Sequence, residues 1–164
     1  MGVSKERPHL VVIPEDEANL QLVNGFIGYF AVNSRQLGLE SPAGGWMPAL
    51  TLFRSDYITY LRKHRQGYVV ILIDFDGQGD ARRATCEEEV PDDLKGRVFV
   101  LGTRDEPEAL RREIKQSLES IGESAARDCA QNHTHFWGHD HLTHNLTELA
   151  RLLPIAHPIL FPGA

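Results

Sequence analysis

The chain of 164 residues has a hydrophobic content of 41% and a charged content of 24%, which are the proportions of an ordinary globular domain. This length is sufficient for one hydrophobic core, so we predict a single domain over residues 1–164. The net charge of −6 argues against a protein that grips long duplex DNA, because such proteins usually carry a basic surface that neutralises phosphates.

The cysteines and the apolar segments limit the class of protein further. Cys86 and Cys129 belong to no CxxC motif, so they predict neither a disulfide framework nor a structural zinc cluster. The apolar run at residues 10–13 is too short for a signal sequence or a membrane span. We therefore predict a cytoplasmic protein without a membrane partner.

The first half of the chain shows alternating strand and helix patterns. Residues 9–13 form a compact apolar run that predicts a buried strand, and apolar positions spaced by three and four over residues 15–30 predict an amphipathic helix. Residues 37–41 predict a weaker strand and residues 47–65 a second helix. The run at residues 68–73 is apolar at every position, which predicts a strand covered on both faces.

The second half continues this alternation. Residues 74–80 must form a loop, and the polar residues 81–96 predict a surface segment with a turn or helix starting near Pro91. Residues 97–101 predict a fourth strand. A helix is expected over residues 106–121, with a proline in its first turn.

Residues 124–164 are predicted to form a C-terminal extension that is helical and rich in histidine. Its pattern indicates helix up to about residue 130, a histidine-rich loop at residues 132–144, a final helix at residues 145–153 and an apolar end. The order of elements along the whole chain predicts an α/β fold with a mostly parallel central sheet of about four strands and helices on both faces. In such sheets, ligands bind beyond the carboxyl ends of the strands.

Acidic residues follow two of the predicted strands. Asp74 and Asp76 come directly after residues 68–73, and Glu15 follows residues 9–13. Carboxylates held about 4 Å apart repel by about 1 to 4 kcal/mol at dielectrics between water and a protein surface. A hard cation such as Mg²⁺ or Mn²⁺ relieves that repulsion, and carboxylate oxygens suit it. The alternative is that the aspartates shape a turn and that Glu15 favours a helix start.

The order of these motifs resembles the TOPRIM domain of topoisomerases, primases and OLD-family nucleases. The pattern of that family is a Glu after the first strand, a glycine-containing turn after the second and DxD after the third. In this chain, Glu15, the turn with Gly44 and Gly45, and the pair Asp74 and Asp76 stand in that order.

The resemblance spans residues 8–115 and implies hydrolysis of phosphodiester bonds that depends on Mg²⁺ or Mn²⁺. It implies catalytic and metal-ligating roles for Glu15, Asp74 and Asp76. It also implies a further metal ligand after the fourth strand, for which Glu106 or Glu108 is the candidate. The acidic balance of the chain favours nucleic-acid ends, single strands or small nucleotides as substrates.

Two other classes of protein remain open at this point. A non-catalytic module of the same fold would bind a protein partner, a nucleotide or a second copy of the chain. A receiver-like or flavodoxin-like domain also places acids at strand ends, but a receiver needs a Lys after a fifth strand, which this chain lacks.

The sequence itself departs from the TOPRIM pattern because Glu15 is followed by Asp16, where the family usually has Gly.

Basic and histidine residues are candidates for supporting roles. Arg82 follows the DxD motif and Arg104 follows the fourth strand, so both could bind phosphate in a bidentate fork, although helix-surface charge is the alternative. His139 and His141 belong to the histidine-rich loop and are candidate accessory residues, either as zinc ligands or as an acid over the carboxylate crevice. Exposed loop histidines without a function would give the same pattern.

Overall fold

A computed structural model describes residues 3–164 and contains one sheet of four parallel strands. The strands are β1 (His9–Pro14), β2 (Leu37–Leu39), β3 (Gly67–Asp74) and β4 (Val98–Thr103), and their spatial order is β2-β1-β3-β4. The helices are α1 (Glu17–Gly28), α2 (Trp46–Leu52), α3 (Ile58–Lys63), α4 (Gly79–Glu88), α5 (Pro107–Ile114), α6 (Leu118–Gln131) and α7 (Leu146–Leu160). The predicted α/β class with a mostly parallel sheet of about four strands is confirmed.

Each face of the sheet is covered by helices, as predicted. Alternate strand residues point to opposite faces, so one apolar run supplies both cores. Val11 and Ile71 pack beneath α2, α3 and α4, whereas Val12 and Val70 pack beneath α1, α6 and α7. Every residue of β1 and β4 is buried, which explains why these strands are apolar rather than alternating in sequence.

The crossovers create a crevice between β1 and β3. The chain leaves β1 towards β2 on one side, and it leaves β3 towards β4 on the other side. Helix α1 covers one face and α4 the opposite face, so the loops that follow β1 and β3 separate at the carboxyl edge. Such a switch point is where open parallel sheets bind ligands.

Two predicted boundaries in the middle of the chain are wrong. A loop was predicted up to residue 80 and a helix or turn only from Pro91 onwards, but α4 already begins at Gly79 and ends at Glu88. Its buried side consists of Arg82 and Cys86, spaced by four, so an arginine on the inner face disguises the amphipathic pattern. The single helix expected over residues 106–121 is two helices, because Lys115 ends α5 with a left-handed φ of +61°.

The final helix is longer than predicted. It was expected to end at residue 153, but α7 continues to Leu160 and includes Pro154 and Pro158. Both prolines lie on the exposed side of the helix. A proline has no N–H to donate, and on this side water can donate to the helix carbonyl groups that lose their partner. Leu152, Ala156 and Leu160 recur at a spacing of four on the buried side and hold the helix on the sheet.

The segment after residue 124 is integrated with the rest of the fold. Residue 124 lies inside α6, and α6 packs directly against α1. A Cβ added at Gly25 would lie 1.9 Å from the carbonyl oxygen of Glu119, and one added at Gly122 would lie 1.9 Å from that of Leu22. The two glycines therefore allow the helix backbones to touch, and α6 and α7 complete the core over one face.

Side chains cover the outer edge of β4. Glu148 Oε2 accepts a hydrogen bond from the Val100 backbone N–H at 2.9 Å, and Arg83 donates to the Val100 carbonyl. Asn145 pairs with both the N–H and the carbonyl of Gly102, while Arg151 donates to the carbonyl of Val98. These contacts satisfy backbone groups that an edge strand otherwise leaves open to another chain.

The structure also bears on the prediction that no membrane partner exists. Over residues 3–164, none of the helices combines the length and the apolar character that crossing a membrane requires.

Candidate carboxylate site

The structure brings Glu15 and Asp74 together at the carboxyl ends of β1 and β3. The Oε2 atom of Glu15 accepts a hydrogen bond from the backbone N–H of Asp74 at 2.6 Å. The backbone N–H of Glu15 donates to the carbonyl of Leu72 at 2.8 Å, which continues the ladder between the strands. Both acidic residues are buried, with 8% of Glu15 and 6% of Asp74 exposed.

Asn19 connects the two strand ends to helix α1, and sequence reasoning did not identify it. Asp16 is the N-cap of α1, and its Oδ1 accepts from the backbone N–H and the side-chain amide of Asn19. The same amide donates to Asp74 Oδ1 at 2.8 Å. Asn19 is fully buried, and the only signal in the sequence is its position three residues after Asp16, which is the spacing of a helix N-cap and the residue that it caps.

Asp76 lies in a tight turn and is held by Arg82. Asp76 and Gly77 both have positive φ, at 48° and 71°. One guanidinium nitrogen of Arg82, Nη1, donates to Asp76 Oδ2 and to the backbone carbonyl of Asp74, each at 2.6 Å. The guanidinium also lies 4.6 Å from the ring centre of Trp46, so the arginine predicted to bind phosphate is engaged within the protein.

Gly44 and Gly45 support the backbone after β1 rather than any side chain. Their N–H groups donate to the carbonyl of Glu15 at 2.8 and 3.1 Å. Their φ angles of +94° and +146° lie in a region that side chains disfavour, which explains the glycine pair. The turn therefore fixes the position of Glu15 and leads directly into α2.

Burial and mutual repulsion shift the protonation of the buried pair. Burial raises the pKa of Glu15 above its usual range, against the hydrogen bond from the Asp74 N–H, which lowers it. Burial also raises the pKa of Asp74 to about 7, with further repulsion from Glu15, Asp16 and Asp76. The Asn19 amide acts in the opposite direction because it favours the charged form of Asp74. One carboxyl group of the site is thus poised to exchange a proton near neutral pH.

The segment after β4 approaches the turn at Asp76 through its backbone. The N–H of Gly77 donates to the carbonyl of Arg104 at 2.8 Å, and that of Asp76 donates to the carbonyl of Asp105 at 3.2 Å. Glu106, which was predicted as a further metal ligand, is half-exposed and pairs with Arg112 at 3.8 Å.

Arg104 is the more accessible of the two predicted phosphate-binding arginines. Its side chain is 48% exposed and pairs with the neighbouring Asp105 at 3.2 Å, whereas that of Arg82 is 9% exposed.

The histidine-rich loop is attached at the end of β4. The backbone N–H of Arg104 donates to the carbonyl of His141 at 2.8 Å. The Nε2 atom of His141 lies 2.6 Å from one Glu113 oxygen, and that of His139 lies 3.8 Å from the other. Glu113 on α5 was not identified from the sequence. The two histidines therefore share one carboxylate at the sheet edge.

The donor set of the site fits a hydrated divalent cation better than a fully protein-bound ion. Across residues 3–164, no group of three or more His, Cys, Asp or Glu side chains is arranged to hold a metal ion. Glu15 and Asp74 each use one oxygen within the protein, which leaves a second oxygen on each. The buried Oδ1 of Asn19 has no hydrogen-bond partner, but it is the amide nitrogen of this residue that faces Asp74. Mg²⁺ commonly uses only one or two carboxylates and keeps several waters.

No protein-family model, no curated protein and no solved structure matches this chain. The resemblance to TOPRIM domains therefore stays a prediction.

Proposed function

We propose that the protein is a hydrolase that depends on Mg²⁺ or Mn²⁺ and cleaves phosphodiester bonds in nucleic-acid ends, single strands or small nucleotides. The observation that supports this proposal is the convergence of the Glu15 and Asp74 carboxyl groups at the crevice between β1 and β3. When bound, the cation would polarise the phosphoryl group and lower the pKa of a bound water.

The residues of the chain divide the remaining tasks. Glu15 and Asp74 would hold the cation from the two strand ends, and Asp76 would be a further ligand if its ion pair with Arg82 opened. The pKa of Asp74 is about 7 in the protein without a cation, so binding of the cation would displace a proton from this carboxyl group near neutral pH. Arg104 is half-exposed beside the turn and is available to bind a phosphate oxygen.

A non-catalytic binding module is the second candidate, and one observation favours it. Asp76 is ion-paired with Arg82 at 2.6 Å, so the negative charge of this aspartate is already neutralised by a guanidinium group of the protein. A domain of this kind would bind a nucleotide or a protein partner without hydrolysis.

Manganese binding and cleavage together test the proposal. We would measure Mn²⁺ binding by electron paramagnetic resonance, and cleavage of single-stranded DNA, single-stranded RNA and cyclic nucleotides in Mn²⁺. The expected result is that Glu15→Gln and Asp74→Asn abolish both binding and cleavage while the variants stay folded. Glu17→Gln is the matched control, because Glu17 is exposed on the first turn of α1.

The outcomes separate the two candidate functions. Mn²⁺ binding without cleavage of any of these substrates supports the binding module. Absence of Mn²⁺ binding to the wild-type protein at millimolar concentration would exclude the metal-dependent hydrolase.

A further inference from the structure

Basic residues are concentrated at the amino edge of the sheet, where the strands begin. Residues 3–9, 60–68 and 92–97 contain seven Lys or Arg residues and three Asp or Glu residues, so they carry a net charge of +4 in a chain whose net charge is −6. These segments come at the starts of β1, β3 and β4. Because the strands are parallel, all three segments lie at the end of the sheet opposite the carboxylate site.

Four of these basic residues are exposed and form what we call the amino-edge patch: Lys5, Arg7, Lys63 and Arg65. Across the described residues 3–164, none of the four forms an ion pair with a carboxylate. Two of the three nearby acids are already paired, Asp93 with Arg62 and Asp92 with Lys95. Glu6 is the only carboxylate of the three segments without a cation in the described part of the chain, so positive charge remains in excess.

Two rings lie among the cations of the amino-edge patch. The Nζ atom of Lys5 is 5.6 Å from the centre of the Tyr60 ring, and the centre of the His64 ring is 4.6 Å from it. Burial lowers the pKa of His64, and the charges of Lys5 and Lys63 lower it further. Cations from two separate segments therefore converge around one pair of rings, both of which are partly exposed.

His9 holds the segments of the patch in a fixed arrangement. Its side chain is fully buried, with Nδ1 2.7 Å from the carbonyl oxygen of Arg7 and Nε2 2.7 Å from the hydroxyl oxygen of Tyr60. The side-chain amide of Gln66 also donates to the carbonyl of Glu6 at 2.8 Å. The N-terminal segment is thus tied to α3 and to the loop that follows it, so the backbone of the patch needs little ordering when a ligand binds.

We propose that the amino-edge patch binds single-stranded nucleic acid, with its four cations on phosphate groups and the rings of Tyr60 and His64 against an unstacked base. Proteins that bind single strands combine cations that follow the backbone with aromatic rings on which bases stack. An acidic peptide or a lipid surface would pair with the cations but would offer no base to the rings. The proposal does not rest on hydrolysis, because the patch lies at the opposite edge from Glu15 and Asp74 and needs no metal.

Fluorescence anisotropy of labelled single strands tests the proposal with the full chain in EDTA, which removes divalent cations. Strands of about 12 nucleotides cover a site of the usual size. Each phosphate contact on a single strand contributes about −0.7 to the slope of the logarithm of the binding constant against the logarithm of salt concentration, so three to four contacts predict a slope of about −2 to −3.

Two double variants remove charge from the two segments separately: Lys63→Gln with Arg65→Gln, and Lys5→Gln with Arg7→Gln. Each is expected to make the salt slope less steep by about 1.4 and to weaken binding about tenfold at low salt. Two variants are used so that one which fails to unfold cooperatively can be set aside. Arg111→Gln with Arg112→Gln is the matched control, because it removes the same charge from the exposed surface of α5.

Further ligands distinguish nucleic acid from other polyanions. An abasic strand of the same length keeps the phosphates and should bind at least about fivefold more weakly, which is the factor that stacking of one base contributes. Poly-glutamate and vesicles containing phosphatidylserine, at equal charge concentration, should not displace the intact strand. The proposal is overturned if no strand binds at low salt, or if the folded double variants bind as the control does. It is equally overturned if the abasic strand binds as tightly as the intact one, or if either competitor displaces it.

Discussion

Glu15 and Asp74 are joined by a hydrogen bond in which the carboxylate of Glu15 accepts from the backbone N–H of Asp74 at 2.6 Å. The bond ties the carboxyl ends of two adjacent parallel strands, β1 and β3. Glu15 cannot turn away without leaving that buried N–H unpaired, which is unfavourable. The fold therefore keeps two acidic groups close together despite their repulsion, and a proton or a cation relieves it.

The protonation of Asp74 should make the stability of the protein depend on pH. Its pKa is about 7 in the folded protein and returns to 3.8 when the chain unfolds. The folded state binds this proton more tightly, so the contribution of Asp74 to stability is greatest below pH 3.8 and is lost as the pH rises to 7. Asp74→Asn cannot lose a proton, so it should not lose stability as the pH rises. Its amide oxygen can still accept the hydrogen bond from Asn19.

Urea unfolding at several pH values measures this effect. Relative to the wild type, Asp74→Asn should gain about 1–3 kcal/mol in free energy of unfolding between about pH 4 and pH 8. Asp80→Asn is the control, because Asp80 is exposed at the start of α4. Parallel pH profiles for the wild type and Asp74→Asn would show that Asp74 carries no unusual proton affinity.

Asn19 should tune that proton affinity. Its amide donates to Asp74 Oδ1 at 2.8 Å and favours the charged carboxylate. Asn19→Ala is therefore expected to raise the pKa of Asp74 further and to lower the free energy of unfolding by about 1–3 kcal/mol. Carboxyl ¹³C NMR gives the pKa directly. Asn24→Ala, on the exposed side of the same helix, should change neither quantity; an unshifted Asp74 in Asn19→Ala would rule out the coupling.

The sequence allowed prediction of the parts of the site that follow from strand ends. An unbroken apolar run marks a buried parallel strand, so the acids after β1 and β3 could be placed at one edge. Asn19 could not be predicted to contact Asp74, because the contact depends on how α1 sits on the sheet.

The same limit explains the errors in the helices. Arg82 was predicted to bind a substrate phosphate, whereas a carbonyl, an aspartate and an aromatic ring together accommodate its guanidinium in a buried position. Lys115 has a left-handed conformation at the end of α5. Glycine usually occupies such a position, so without a glycine the sequence did not indicate that the helix ends there. At Arg82 the tertiary contacts override the local preference of the residue, whereas at Lys115 the left-handed turn is accompanied by a local cap bond from its N–H to the carbonyl of Arg111.

Arg82 should compete with a bound cation for Asp76. Its ion pair with Asp76, at 2.6 Å, is half-exposed on the aspartate side. Arg82→Gln is expected to tighten Mn²⁺ binding about two- to fivefold, which is the range of such a pair near the surface. The binding constant can be measured by electron paramagnetic resonance, with the exposed Arg111→Gln as the control. Equal or weaker binding by Arg82→Gln would mean that Asp76 is not a ligand.

Two glycines on α1 should respond oppositely to the same substitution. A Cβ at Gly25 would lie 1.9 Å from the carbonyl oxygen of Glu119, whereas one at Gly28 meets nothing within 4 Å. Gly25→Ala must push α6 away and should cost about 2–4 kcal/mol of stability, as overpacked cores do. Gly28→Ala should be neutral or stabilising by up to about 1 kcal/mol. Thermal and urea unfolding compare the pair, and equal stability of the two variants would contradict the close helix contact.

Glu148 should protect the open edge of the sheet. Its carboxylate accepts from the Val100 N–H and from Arg151, and it lies 3.6 Å from Arg83. Glu148→Ala leaves that N–H and the Arg83 charge without a partner, so a loss of about 3–5 kcal/mol in the free energy of unfolding is expected. The exposed strand should also pair with a second chain, which sedimentation velocity detects as association beyond that of the wild type.

Glu88→Ala, on the exposed surface of α4, is the control, and Glu148→Gln should retain the acceptor for Val100 and lose less stability. If Glu148→Ala matched the control in both stability and association, the side chain would have no part in covering β4.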